Sequence, residues 1–288
     1  NLSNINQNVK IHAAFICLPH HLHAKFLKIL VEKKVHLFLE KPCGINKKDF
    51  RILIKAQKKI KKYKLKVMAG YHLRFHPMIS KLKKLIKKKE IGNILNVLVE
   101  NGEHIADYRP SQKYWKVFHS KKKEGGGVLL NQIHEIDYFL DLFENYKFKT
   151  INTFDKKISN LRIDTEDTIS SNFIASNSKD KFFLTLLMNS YERPRRRMLK
   201  IIGTKGKILV NFLKNQIEIY YFNVFKDGMI KSKKISKKLL KFKIKRKDLF
   251  KNEVFYFINS VKKNKSIDKK FGLERSIKTL DMALKLKN

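Results

Sequence analysis

The sequence predicts an α/β plus α+β protein: a partial parallel sheet with helical crossovers, followed by an α/β domain with an open, mainly antiparallel sheet. Three observations carry that prediction. From residue 12 to residue 70, apolar runs of strand length alternate with amphipathic helical stretches, the rhythm of parallel strands joined by crossover helices. From residue 94 to about residue 235, strand-like runs succeed one another with polar turns and a single intervening helix, which points to antiparallel pairing. The last third of a hundred residues then returns to helical spacing.

Each element has a local reason. Residues 12–18 (HAAFICL) form a short apolar run stopped by Pro19, whose missing N–H ends a ladder. Residues 22–33 place Leu22, Phe26, Leu27, Ile29 and Leu30 at helical spacing, and a second strand is read over 35–42 (VHLFLEKP). An amphipathic helix over 47–63, a third strand over 66–70 and a helix at about 77–89 complete the first rhythm. Strands are then expected over 94–100, 147–154, 167–175, 181–189, 198–202, 207–212 and 216–224, with one helix after Gly125-Gly126-Gly127. Helices over 252–261 and 273–286 close the chain, and the lysine-dense stretch 231–247 reads as a solvated edge and loop. The expected division is a first domain over 1–75 and a second over 76–288. No internal repeat is present.

Composition narrows the function classes. The chain of 288 residues carries Lys+Arg 65 against Asp+Glu 25, a formal charge of +40 that suggests nucleic acid or an anionic surface. Only ten of the 65 are arginine, the side chain suited to bidentate phosphate and base contacts, and the lysines are spread over nearly every helix beside many Ile and Asn. A codon bias toward Lys, Ile and Asn explains this better than a nucleic-acid footprint does, so no nucleic-acid partner is expected. Two cysteines, Cys17 and Cys43, make neither a disulfide framework nor a metal knuckle. No apolar run approaches the ~18 residues of a membrane span, so no membrane partner is expected and a cytoplasmic location is. His20, His21 and His23 offer imidazoles without a carboxylate or cysteine at a familiar spacing, and no metal is expected there.

Two constellations carry chemistry. Glu40-Lys41-Pro42 ends the second strand, and ligands of parallel α/β sheets bind outside the carboxyl ends of the strands. The residue before a proline is held extended, so Lys41 projects into that crevice, where burial or a neighbouring cation lowers its pKa enough to hold or relay a proton. Alone, a lysine among so many reads as a surface residue. The second is Gly125-Gly126-Gly127-Val128-Leu129-Leu130-Asn131-Gln132-Ile133-His134-Glu135-Ile136-Asp137-Tyr138, in which Asn131, His134 and Asp137 recur every three residues on one helix face. A histidine aimed into a cleft exchanges a proton at physiological pH. Its bland alternative is a histidine satisfied within a core helix.

The order of LPHHLH (18–23), EKP (40–42), GYHLRFHP (70–77), YRPSQKYW (108–115), GGGVLLNQIHEIDY (125–138), DTED (164–167) and IIGTKGKILV (201–210) resembles the glucose-fructose oxidoreductase / inositol dehydrogenase family, Gfo/Idh/MocA, from about residue 11 to beyond residue 260. The resemblance implies a partial Rossmann domain binding NAD or NADP, a second domain with an open sheet, and oxidation or reduction of a hydroxyl on a sugar or cyclitol. It makes Lys41 the lysine between nicotinamide and substrate hydroxyl, His134 the acid/base and Asn131 a further catalytic and substrate-orienting group. Leu18, Pro19, His23, Glu40 and Lys41 become cofactor contacts, and Arg74, Arg109 and Tyr114 fall in segments facing the substrate cleft, where an arginine pair suits a carboxylate or nucleotide phosphate.

Two departures shape the expectations. Many members place an aspartate four residues before the histidine, whereas here Asn131 stands three before it, and asparagine orients a hydroxyl but takes no proton. That shortened motif is similar to the branch beside nonulosonic-acid and surface-glycan biosynthesis, which implies a sugar or nucleotide-sugar substrate. The second departure is that no GxGxxG occurs in the sequence. From the size of βαβ units, roughly 50 to 60 residues are expected ahead of Asn1, and the fragment itself is expected to bind NAD poorly. The leading expectation is an NAD(P)-dependent sugar oxidoreductase, a homodimer or homotetramer when intact. The alternatives are a non-catalytic remnant that binds or dimerises and a basic nucleic-acid-associated protein.

Overall fold

The computed structural model describes residues 10–222 and 235–287. Its first sheet has the order β1 (Ala13–Ile16), β2 (His36–Glu40), β3 (Val67–Gly70), all parallel, with Phe15 opposite Phe38 and Leu39 opposite Ala69. Helix α1 (His23–Glu32) joins the first two strands and α2 (Lys47–Lys62) the second pair. Asn46 caps α2 by accepting from the Asp49 N–H at 2.9 Å, while the Asp49 carboxylate accepts from the Ile45 N–H at 2.9 Å. Two otherwise unpaired donors at the helix start are thereby satisfied.

The alternation of β2 decides which layer meets which face. Leu37 and Leu39 point to the side of α1, α2 and α7 (Leu273–Lys285), joining a core with Leu27, Leu53 and Leu280. Phe38 points to the opposite side and packs with Met68, Phe257 and Phe271, two of which belong to α6 (Arg246–Lys262) and the turn before α7. The C-terminal helices thus sandwich the first sheet, although 200 residues separate them from it in sequence.

Helix α3 (Pro77–Lys87) starts with Pro77 in its first turn and the His76 ring accepting from the Met78 N–H, a start encoded by HP. The second sheet follows, in the order β11-β10-β9-β8-β4-β7-β6-β5. Its strands are β4 (Ile94–Gly102), β5 (Lys147–Lys156), β6 (Thr168–Ser176), β7 (Lys181–Asn189), β8 (Arg196–Gly203), β9 (Gly206–Asn211), β10 (Gln216–Tyr221) and β11 (Ser236–Lys241). Every neighbouring pair is antiparallel except β4 and β7, which run parallel at the centre. The inner face, with Val97, Val99, Phe173, Leu184, Leu186, Leu199 and Ile201 fully buried, closes on α3 and α5 (His134–Leu142).

Fold class and element order are as the sequence predicts; three details differ. The helix after the glycines is two pieces, α4 (Val128–Asn131) and α5, broken at Gln132 and Ile133. The lysine-dense stretch yields the edge strand β11, whose Lys237, Lys238 and Lys241 are exposed as edge protection requires; residues 231–234 of that stretch, and 223–224 of the strand expected over 216–224, lie outside the described residues. The final helix pair reaches back to the first sheet, through an isolated bridge from Met68 to Gly272 among other contacts. No helix among the described residues is long and apolar enough to cross a membrane.

Candidate active site

A cavity of about 290 Å³ opens where the carboxyl end of β2 meets the start of α4 and α5. Glu40, Lys41, His72, His119, Asn131 and His134 are in its wall. Two links bring the segments together across the two sheets. The Lys41 ammonium donates to the Asn131 carbonyl at 2.6 Å, and the His20 ring meets the Gly125 carbonyl at 2.8 Å.

A Cβ on Gly125, at φ 84°, would sit 2.8 Å from the His20 Cβ, so glycine makes the second link possible. A Cβ on Gly126 would sit 2.4 Å from the His119 carbonyl oxygen, and Gly127, at φ 104°, turns the chain into α4 where a Cβ would meet the Glu166 carboxylate at 2.2 Å. Only glycine permits both the close approach and the positive φ. The Leu129 N–H then donates to Glu166 at 3.2 Å, fixing the start of the short helix whose last carbonyl receives Lys41.

Burial pulls Lys41 down to about 8, with the Arg197 and Arg246 charges acting in the same direction and Glu40 against them. Glu40 itself is raised, again chiefly by burial. His134 is held neutral, well below the usual histidine range, by burial first and then by His72 and Lys41. Its ring packs edge-on to Tyr71 and His72, at 5.6 and 4.4 Å between centroids, and its Nδ1 is buried without a partner. His119, lowered by burial to about 4, meets the Asn131 side-chain oxygen through Nδ1 at 3.0 Å. If that nitrogen carries the proton, Nε2 is left as an acceptor. An amine that titrates near neutrality beside neutral imidazoles in one partly closed cavity can take and return a hydroxyl proton.

The expected residues divide into those brought together and those placed elsewhere. Lys41, Glu40, Asn131 and His134 converge on the cavity. Asn131 receives Lys41 on its backbone carbonyl, while its side-chain nitrogen donates to the His119 carbonyl at 3.0 Å and its side-chain oxygen meets the His119 ring. Leu18 and Pro19 stand at the carboxyl end of β1, Leu18 exposed, level with the Glu40 end of β2. His23 is fully buried and both ring nitrogens lie 2.7 Å from carbonyls, of Leu18 and Pro42; it pins the two strand-end turns and has no ring nitrogen left for a cofactor.

Arg74, Arg109 and Tyr114 are outside the cavity wall. Arg74 is sealed in a bidentate pair with Asp137, at 2.9 and 2.6 Å, and stacks on the Tyr71 ring. Asp137 is therefore committed to Arg74 and does not line the cavity; it shares α5 with His134, whereas Asn131 is set off their common face by the break at Gln132 and Ile133. Arg109 is exposed, with its guanidinium 5.8 Å from the Phe118 ring, and the Tyr114 hydroxyl accepts from the Arg162 N–H. The arginines that do line the cavity are Arg195, Arg197 and Arg246, joined by His72 and His119, none of which the motif reading selected. A signal existed for Arg197: in β8 it alternates with the buried Leu199 and Ile201, so a strand reading puts a charge on the inner face.

The residues at the strand ends fit one end of a nicotinamide cofactor. The hydrocarbon step of Leu18 and Pro19, with Glu40 and Lys41 beside it, suits the nicotinamide end of a dinucleotide bound across strand ends. No described residues form the glycine-rich turn that cradles a pyrophosphate, since the sequence has no GxGxxG.

Comparisons with known proteins agree with this layout. The family model described as "Oxidoreductase family, NAD-binding Rossmann fold" matches residues 1–71, and that of the "GFO/IDH/MocA C-terminal domain" matches residues 79–209. The 2,7-anhydro-N-acetylneuraminate hydratase of Escherichia coli K12 is 30% identical over 141 residues, 48% of this chain and 36% of that protein. The glucose-6-phosphate 3-dehydrogenase of Bacillus subtilis is 26% identical over 45% of this chain and 36% of its own length. The chain therefore matches about a third of either relative. Among solved structures, levoglucosan dehydrogenase in complex with NADH and levoglucosan superimposes with a TM-score of 0.76 at 16% identity, covering 96% of this chain and 78% of that one. UDP-N-acetylglucosamine 3-dehydrogenase from Acidithiobacillus ferrooxidans gives 0.72 at 16%, with the same coverage. At such identities the likeness concerns the fold.

Proposed function

The chain belongs to the Gfo/Idh/MocA family of oxidoreductases, and from that premise we propose that its cavity is the substrate side of a site for NAD-dependent hydride transfer to or from a hydroxyl carbon of a sugar, cyclitol or nucleotide sugar. The observation that carries the reading is Lys41, its ammonium 2.6 Å from the Asn131 carbonyl and its pKa drawn to about 8, in one cavity with neutral His134.

The cofactor, when bound, gives or takes the hydride. The chain's own residues manage the proton. Lys41, anchored by Asn131, donates to the reacting oxygen and orients it; His134, neutral, accepts the hydroxyl proton in oxidation and returns it in reduction. Burial, helped by the Arg197 and Arg246 charges, keeps Lys41 near its useful pKa. The names of the relatives support a sugar ring as substrate, and a place in glycan biosynthesis is part of the same proposal. Residues 1–75 and 76–288 are proposed as the cofactor and substrate domains. The outer face of the second sheet, where Leu98, Ile174 and Leu187 are half-buried and Phe183 exposed, is proposed to pair copies as a homodimer or homotetramer.

The test is NADH appearance with levoglucosan, UDP-N-acetylglucosamine and glucose 6-phosphate as substrates. Lys41→Met and His134→Ala are each expected to lower turnover by about 10²- to 10⁴-fold, the range for a lost general acid or base. Normal turnover by both variants of a parent that oxidises one of these sugars would remove the reading.

A further inference from the structure

A second cavity, about 220 Å³, adjoins the first, and His72, His76, Arg195, Arg197, Asn215 and Arg246 supply its polar wall. His72, Arg195, Arg197 and Arg246 line both cavities, so the arginines stand at the passage between them. Among the described residues, no Asp or Glu lines the second cavity. A neutral sugar chain would call for carboxylate acceptors for its hydroxyls, and this wall offers donors instead.

The charges do not cancel. Arg197 is neutralised by a bidentate pair with buried Glu135, at 2.6 and 3.1 Å, and Arg195 reaches Glu103 at 3.1 Å. Arg246 opens α6, and among the described residues no carboxylate comes within ion-pair distance of it; its guanidinium lies 5.8 Å from the Phe250 ring. Its charge is nonetheless felt at Lys41, His72 and His134, which burial lowers first and the Arg246 charge lowers a little further. The Asn215 amide is occupied, meeting His76 and donating to the Ile244 carbonyl, so it adds no free acceptor. An exposed planar guanidinium, without an ion pair among the described residues and at the mouth of a chamber lined by donors, matches a carboxylate or a phosphate.

We propose that this second chamber binds an anionic group, a carboxylate or phosphate, carried by the sugar whose hydroxyl carbon lies beside Lys41, and that Arg246 pairs with it. The position of the reacting end rests on the hydride-transfer reading, whereas the anion chamber is defined by its own lining.

The experiment is calorimetric binding of glucuronate, glucose 6-phosphate and glucose to the 288-residue chain, with NADH turnover on the same three sugars read in parallel. At least one of the two anions is expected to bind tenfold or more tightly than glucose, and whichever wins says whether the chamber suits carboxylate or phosphate. Arg246→Ala is expected to erase that preference and Arg246→Glu to reverse it, while Lys238→Ala, which removes an equal charge from β11, is expected to leave it unchanged. Equal affinity for all three sugars, or a preference that survives Arg246→Ala or is lost in Lys238→Ala, overturns the proposal. An Arg246-dependent anion preference together with turnover that Lys41→Met leaves unchanged would sustain the chamber and sink the oxidoreductase reading. Turnover without anion preference would do the opposite.

Discussion

Glu253 shows how a single residue carries pH dependence into the fold. It sits on α6 one turn before Phe257, so it meets the same face of β2 that carries Phe38 and Glu40. It is 1% exposed, one of its oxygens has no partner, and burial first and Glu40 second push its pKa up to about 9. Folded, the carboxyl stays protonated where the unfolded chain ionises, so stability is lost as pH rises from about 4.5 toward 9; at pH 7 the cost is about 3 kcal/mol. Glu253→Gln is therefore expected to melt close to the parent at pH 5 and well above it at pH 8. A gap that stays constant between those pH values in denaturant titrations would show that the carboxyl is not buried as described. Among single residues, Lys41 was legible because a proline and a strand end fix where it points. Glu253 was not, since its neighbour Glu40 is more than 200 residues away in sequence, and Arg246 was not, since nothing local distinguishes it from the lysines around it.

At the scale of the element, α4 is the least ordinary piece and the one on which the site depends. It has four residues, its N-terminal N–H groups lean on Glu166, and its last carbonyl holds Lys41. Gly127→Ala would place a methyl 2.2 Å from the Glu166 carboxylate at a φ that alanine avoids. The expected cost is roughly 1–3 kcal/mol of stability, together with release of the Lys41 anchor. A pH profile in which the Lys41 limb moves, with little change in helix content, is the expected signature; an unaltered profile would mean that α4 does not position Lys41. The same element marks where sequence periodicity stops being informative. Strands and long helices were legible because their apolar spacing is repeated, as in Leu37, Leu39 against Phe38. The break at Gln132 and Ile133 leaves no such trace, and a three-residue spacing across it put Asn131 on one face with His134 and Asp137, while Asp137 pairs with Arg74. The parallel pairing of β4 and β7 was equally hidden, because both strands show the same inward alternation whichever way they run.

At the scale of the whole molecule, the pair that displaced the expected cleft arginine is what joins the parts. Arg74 follows β3, Asp137 lies on α5, and Thr279 on α7 donates to the same carboxylate at 2.8 Å while Ser276 accepts from Arg74 at 3.2 Å. The two charged side chains are 3% and 1% exposed. A buried pair of this kind contributes little net stability compared with apolar residues of equal volume, but removing one member strands the other charge without water. Asp137→Ala should therefore cost about 3–5 kcal/mol, and because α7 packs on both β3 and α5 the loss should fall on both sheets at once. Denaturant unfolding followed by near-ultraviolet signal from Trp115, in the second part, and by hydrogen exchange at β2, in the first, is expected to shift together. The double variant Arg74→Met with Asp137→Leu should recover most of the loss, since no unpaired charge remains. If it stays as unstable as Asp137→Ala, or if one sheet melts while the other holds, the hub is not what couples them, and the C-terminal helices would have to bind the first sheet through the Phe38, Met68, Phe257 and Phe271 cluster alone.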